Sequence, residues 1–108
     1  MQDLASRSCK PCEGGLPPLR GDELKEFVEE LGGDWEVVSE HHLLKSYKFK
    51  NFAEALSFVN SVGALAENAG HHPDIKFGWG YCKLVIYTHA IDGLSESDFI
   101  LAAKIDRI

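Results

Sequence analysis

This sequence predicts an α+β fold, a four-stranded antiparallel sheet with three helices packed on one face. Two observations carry that expectation. Segments of helical and strand periodicity follow one another in the order α-β-β-α-β-β-α, so each pair of strands is consecutive and can close as a hairpin. The central helix carries a broad apolar stripe suited to lying on a sheet. At 108 residues the chain is expected to form a single domain over residues 21–108, preceded by an irregular N-terminal extension over residues 1–20.

The elements follow in order. Cys9-Lys10-Pro11-Cys12-Glu13-Gly14-Gly15 and Pro17-Pro18 oppose regular structure at the start. From Asp22, Leu24, Phe27, Val28 and Leu31 recur at helical spacing until Gly32-Gly33 stops the helix. Trp35 and Val37 alternate with Asp34 and Glu36 in a short strand. A polar turn near Ser39 to His41 leads to a second strand, where Tyr47 and Phe49 alternate with Ser46, Lys48 and Lys50. Asn51 can cap the next helix, with Glu54 three residues on in the reciprocal position. Phe52, Ala55, Leu56, Val59, Val62, Gly63 and Ala66 form its stripe, and Gly70 is its expected stop. Ile75 and Phe77 mark a third strand, Gly78-Trp79-Gly80 a turn, and Cys82, Leu84 and Ile86 a fourth strand ending at His89. Ser95 with Asp98 is a capping-box signature opening the last helix, which Ile100, Leu101, Lys104 and Ile105 continue.

Composition narrows the function. The chain is 44% hydrophobic and 26% charged, as ordinary globular domains are. A formal net charge of −6 argues against nucleic acid as a partner. No apolar run approaches the roughly 18 residues that span a bilayer, so no membrane association is expected. Residues 1–10 are too polar for a signal peptide, and three cysteines are too few for a disulfide framework. Both point to a cytoplasmic location.

The strongest chemical signal is His71-His72-Pro73 with His89 further on. Imidazole gives and takes protons near neutral pH, and these residues fall at the ends of predicted elements, where scaffolds present side chains to ligands. His41-His42 is the same dipeptide in a predicted hairpin turn, and its context suggests solvated surface. Three histidines could form an open zinc site, but adjacent histidines rarely point the same way and no HExxH spacing is present. No metal and no cofactor are expected. Cys9-x-x-Cys12 lacks both a second pair and a βαβ setting, which leaves two ordinary loop cysteines.

Glu67-Asn68-Ala69-Gly70-His71-His72-Pro73-Asp74, Tyr81, Tyr87-Thr88-His89 and Gly93-Leu94-Ser95-Glu96-Ser97-Asp98 stand in one order. From about Leu19 to the C-terminus, including Trp35 and Phe49-Lys50-Asn51-Phe52, that order resembles the pterin-4a-carbinolamine dehydratases, bacterial members in particular. The resemblance implies a hydro-lyase that removes water from 4a-hydroxytetrahydropterin to give quinonoid dihydropterin, recycling the cofactor of aromatic amino-acid hydroxylases such as phenylalanine hydroxylase. It implies His71, His72 and His89 as catalytic residues, with Glu67, Pro73, Thr88, Asp98 and Trp35 as candidate substrate contacts. Four of these contacts have a plainer role at hand: Asp98 as a helix cap, Thr88 in a local backbone bond, Pro73 fixing chain direction, Trp35 in the core. Glu67, which matches an acidic position of the family, could hold an imidazole's orientation or tautomer. Gly70 and Ser97 depart from many animal members, which carry aspartate and arginine there. Alternatives are a non-catalytic interaction module resembling a transcriptional coactivator, or recruitment to molybdopterin metabolism or carboxysome assembly.

The family also joins sheet edges into larger sheets, and an isolated four-stranded sheet leaves two edges that pairing would cover. A homodimer or homotetramer is therefore expected. Light scattering at micromolar concentration checks this, and a purely monomeric mass refutes it.

Overall fold

Strict alternation in one strand organises the molecule. In β4 (Tyr81–Ile86), Cys82, Leu84 and Ile86 are fully buried while Tyr81 and Lys83 are exposed. A strand with period two and one apolar side needs a covering layer on that side only. In the computed structural model, which describes residues 4–7 and 17–108, the helices supply that layer. The remaining elements are α1 (Gly21–Leu31), β1 (Glu36–Val38), β2 (His42–Lys48), α2 (Phe52–Ala69), β3 (Asp74–Gly78) and α3 (Glu96–Ile105). Short 3-10 turns lie at Leu4–Ser6 and His89–Ile91.

The sheet is antiparallel throughout, in the order β1-β2-β4-β3. Register places Leu43 beside Ile86, Leu84 between Lys45 and Ile75, and Cys82 between Tyr47 and Phe77. These rows meet Val62 of α2 and Phe99, Ile100 and Leu101 of α3 in one core, which Leu24 of α1 joins. Phe27 stacks on Phe99 at 5.3 Å, tying α1 to α3. Burying side chains of this size contributes about 1.5–3 kcal/mol each. The expected fold class is the one observed.

Local signals placed the helices correctly. Asn51 Oδ1 accepts the Glu54 N–H at 2.9 Å, and Glu54 Oε1 accepts from the Lys50 N–H at 2.9 Å, one residue earlier than a strict capping box. Ser95 and Asp98 form the full reciprocal box at the start of α3. The β1–β2 turn holds Ser39 and Glu40 at φ of 53° and 54°, the left-handed values of a tight hairpin turn.

Two expectations are corrected. The strand expected to reach His89 ends at Ile86, because Thr88 pairs with Gly93 in an isolated bridge and His89 begins a 3-10 turn. His41 and His42 are part-buried rather than solvated. His41 Nε2 lies 2.7 Å from Asp92 Oδ1, and its ring packs 4.6 Å from that of Tyr87. Within the N-terminal segment, Leu4–Ser6 forms a short 3-10 turn, with Leu4 buried in the core and Lys104 Nζ donating to the Ala5 carbonyl at 2.8 Å. Cys9 and Cys12 lie outside the described residues.

Tyr47 is a local anomaly, since its buried hydroxyl has no hydrogen-bond partner among the described residues. Burial first, then Asp106, Cys82 and Asp34, raise its phenol above the ordinary value of about 10. A folded value above the unfolded one means the associated stability is whole below pH about 10 and is lost as pH rises further. An unpaired buried hydroxyl costs about 1–3 kcal/mol, so Tyr47→Phe is expected to unfold no more easily at pH 7 and to lose less stability above pH about 10. Urea midpoints of both proteins across that range check this; a variant clearly weaker at pH 7 refutes it.

Candidate active site

The site begins with the way α2 stops. Gly70 takes φ 72° and ψ 21°, a left-handed conformation that costs a residue without a Cβ little, and its N–H donates to the Ala66 carbonyl at 2.9 Å. The His71 N–H donates to the same carbonyl at 3.3 Å. Pro73 then blocks any return to helix and biases His72 towards extended backbone. The chain leaves α2 abruptly with both imidazoles at the end of the sheet, next to the start of β3.

The two adjacent rings have opposite surroundings. His71 is mostly buried, its Nε2 2.5 Å from Asp98 Oδ1, and the Asp98 side chain is fully buried. Asp98 Oδ2 accepts from the Thr88 hydroxyl and the Ser95 N–H, each at 2.8 Å, and Thr88 Oγ1 lies 2.8 Å from Ser95 Oγ. One carboxylate thus joins the exit of α2, the segment that follows β4 and the first turn of α3. The N-terminus of α3 favours negative charge there. His72 faces outward instead, with Nε2 2.5 Å from Glu67 Oε2 and both side chains exposed. A carboxylate on Nε2 favours the proton at that nitrogen, which leaves Nδ1 of a neutral ring as the acceptor.

His89 comes from the other side. Its Nε2 is 3.6 Å from Asp74 Oδ2, and its ring packs 4.2 Å from that of Tyr87. Two segments, residues 70–74 and 87–90, line a cleft of about 210 Å³ that takes in His71, His72, Pro73, Asp74, Tyr87, Thr88 and His89. The structure thereby brings together the three candidate histidines, Pro73 and Thr88.

Other candidates lie elsewhere. Glu67 reaches the site only through His72, and Asp98 stands behind His71 and Thr88 rather than in the cleft wall. Trp35, expected as a substrate contact or a core residue, is buried outside the cleft wall, and its indole N–H is 3.0 Å from both Asp106 carboxylate oxygens. Lys45 lies 5.4 Å over the Trp35 ring and pairs with Asp106 at 2.8 Å, so a polar cluster at the end of α3 occupies the indole. Gly70 and Ser97 bring no side chain into the cleft wall. The sequence reading missed Asp74 and Tyr87, although each directly adjoins a residue it singled out. Among the described residues, no group of three or more His, Cys, Asp or Glu side chains is placed to hold a metal ion, and no helix is long and apolar enough to cross a membrane.

Fold and cleft together define an α+β domain with a histidine-lined cleft at one end of its sheet. The chain belongs to the pterin 4 alpha carbinolamine dehydratase family, whose model matches residues 17–108. A relative from Rubrobacter xylanophilus, named provisionally as a pterin-4-alpha-carbinolamine dehydratase, is 58% identical over 108 residues, the whole of both chains. A relative from Alkaliphilus metalliredigens with the same provisional name is 52% identical over 107 residues, covering 99% of this chain and 96% of its own. Among solved structures, a transcriptional coactivator/pterin dehydratase from Brucella melitensis aligns with a TM-score of 0.74 at 28% identity, over 83% of this chain and 96% of that one. A pterin dehydratase-like protein described as a RuBisCO assembly factor in the alpha-carboxysome aligns at 0.59 and 25% identity, over 71% and 90%.

The Asp98 network yields a stability prediction. Asp98→Ala would remove the acceptor of the Ser95 N–H, one hydrogen-bond partner of the Thr88 hydroxyl and the carboxylate beside His71, all in a buried site, at a cost of about 2–4 kcal/mol. Asp98→Asn keeps one acceptor and is expected to cost less. Urea unfolding at unchanged m-value is the measurement; an Ala variant within about 0.5 kcal/mol of the parent refutes the network's role.

Proposed function

We propose that this chain dehydrates a 4a-hydroxytetrahydropterin to the quinonoid dihydropterin by histidine acid/base catalysis. The observation that carries the reading is the convergence of His71, His72 and His89 on one cleft in a chain of this family. The carbon–oxygen bond at carbon 4a breaks as a protonated imidazole gives its proton to the departing hydroxyl. A neutral imidazole takes the proton from ring nitrogen, whose electrons form the new double bond, so water is the only by-product. Each positioned acid or base of this kind typically contributes about 10²–10⁴-fold.

Environment suggests how the histidines divide the work. His71, tied to a buried carboxylate, is fixed in orientation and suits holding the reacting edge of the pterin. His72 and His89 are exposed and can exchange protons with water between turnovers. The reading places the enzyme in the cytoplasm as a homo-oligomer, serving an aromatic amino-acid hydroxylase such as phenylalanine hydroxylase. Thr88 and Pro73 complete the wall around the substrate. The names of the two solved neighbours support a second reading, a protein-interaction role with no turnover.

Loss of the 4a-carbinolamine, followed spectroscopically against its spontaneous dehydration, separates these readings. His72→Ala and His89→Ala are each expected to slow turnover by about 10² or more, leaving the uncatalysed rate as a floor. The double variant need not multiply the losses. Prolonged chelation is expected to leave the rate unchanged. Full activity in both single variants, or loss of activity on chelation, sinks the mechanism.

A further inference from the structure

His89 differs from the other two histidines of the cleft in what holds it. His71 and His72 each have a carboxylate oxygen 2.5 Å from Nε2, whereas among the described residues the carboxylate nearest His89, that of Asp74, is 3.6 Å away, beyond hydrogen-bond reach. Its side chain is 60% exposed. A ring that must meet a substrate in a defined geometry needs another restraint, because small misplacements of a reacting group are costly to rate.

The structure supplies one in aromatic contacts. The Tyr87 ring centroid lies 4.2 Å from that of His89 and 4.6 Å from that of His41, with interplanar angles of 50° and 42°. His41 is itself fixed, with Nε2 2.7 Å from Asp92 Oδ1 and Nδ1 3.1 Å from His42 Nδ1. Asp92 closes the 3-10 turn that His89 opens, and the Thr88–Gly93 bridge pins the base of that turn. The β1–β2 hairpin and the turn carrying His89 are therefore clamped together, with Tyr87 in contact with both imidazoles. We propose that Tyr87, buttressed by the Asp92–His41 pair, is the positioning residue that sets the orientation of the His89 ring. This rests on the reading of His89 as a reacting group. It gives the second histidine dipeptide a part in the site without contact to substrate.

The test uses the full chain with Tyr87→Phe, Tyr87→Leu and His41→Ala. Two readouts are needed: kcat and KM for dehydration of the 4a-carbinolamine, and the imidazole nitrogen signals of His89 in the ligand-free protein, which report tautomer and ring mobility. Tyr87→Leu is expected to lower kcat roughly tenfold with KM within about twofold, and to broaden or shift the His89 signals. Tyr87→Phe keeps the ring and is expected to restore both readouts. His41→Ala is expected to fall between the two. The proposal is overturned if Tyr87→Leu leaves the His89 signals and kcat at parent values, or if Tyr87→Phe behaves like Tyr87→Leu. A rise in KM at constant kcat also overturns it, because that marks Tyr87 as a substrate contact. Should Tyr87→Leu fail to fold, the His89 signals of His41→Ala decide alone: unchanged signals refute the buttress. If the parent protein shows no dehydration, the functional reading fails, while the nitrogen signals still decide whether Tyr87 orients His89.

Discussion

A buried carboxylate is tolerated only when donors surround it, and that constraint on Asp98 governs the architecture of the site. Its two oxygens take up His71 on one side and Thr88 with the Ser95 N–H on the other. These donors come from the exit of α2, the continuation of β4 and the entry of α3. Moving any of those segments takes a hydrogen-bond partner from the buried carboxylate. The capping box that starts the last helix is thus also the device that locates the first histidine of the cleft.

The sheet extends the same logic. Leu43 pairs with Ile86, so the hairpin carrying His41 and His42 ends beside the continuation of β4 that carries Tyr87, Thr88 and His89. Pairing of β3 with β4 brings Asp74, and with it His71 and His72, to that same end. Three antiparallel strands therefore deliver all five histidines of the chain to one end of the sheet. The other end closes around Tyr47, Phe49 and Phe58, whose rings lie 4.5–6.4 Å apart. One end is polar and open, the other aromatic and filled.

Much of this was legible because it is local. Asn51 with Glu54, Ser95 with Asp98, and Gly70 followed by Pro73 each encode an element boundary within a few residues, and each boundary lies where its residues indicate. The alternation of Cys82, Leu84 and Ile86 identified the buried side of β4. The misreadings concern contacts between distant residues. Asp92 lies 51 positions from His41, and Asp106 lies 71 from Trp35, so neither the burial of the histidine nor the capture of the indole leaves a periodic trace. Period two likewise could not reveal that the β4 segment breaks off before His89, since the break comes from the bridge between Thr88 and Gly93. Gly93 suits that bridge because a Cβ there would sit 2.6 Å from Pro18.

The two histidine dipeptides show why residue type alone does not assign chemistry. Both lie at an element boundary at the same end of the sheet, yet only His71 and His72 line the cleft. The difference arises in what precedes them. Gly70, in its left-handed conformation, turns the chain sharply off α2, and Pro73 prevents it from folding back. His71 is thereby directed to a buried carboxylate and His72 to an exposed one. His41 instead follows two residues of positive φ in a hairpin turn, and its ring falls against the far side of the loop that carries His89. The same side chain is placed at the cleft wall in one case and behind it in the other. Backbone geometry set by one glycine, one proline and one tight turn decides which imidazoles line the cleft and which lie behind its wall.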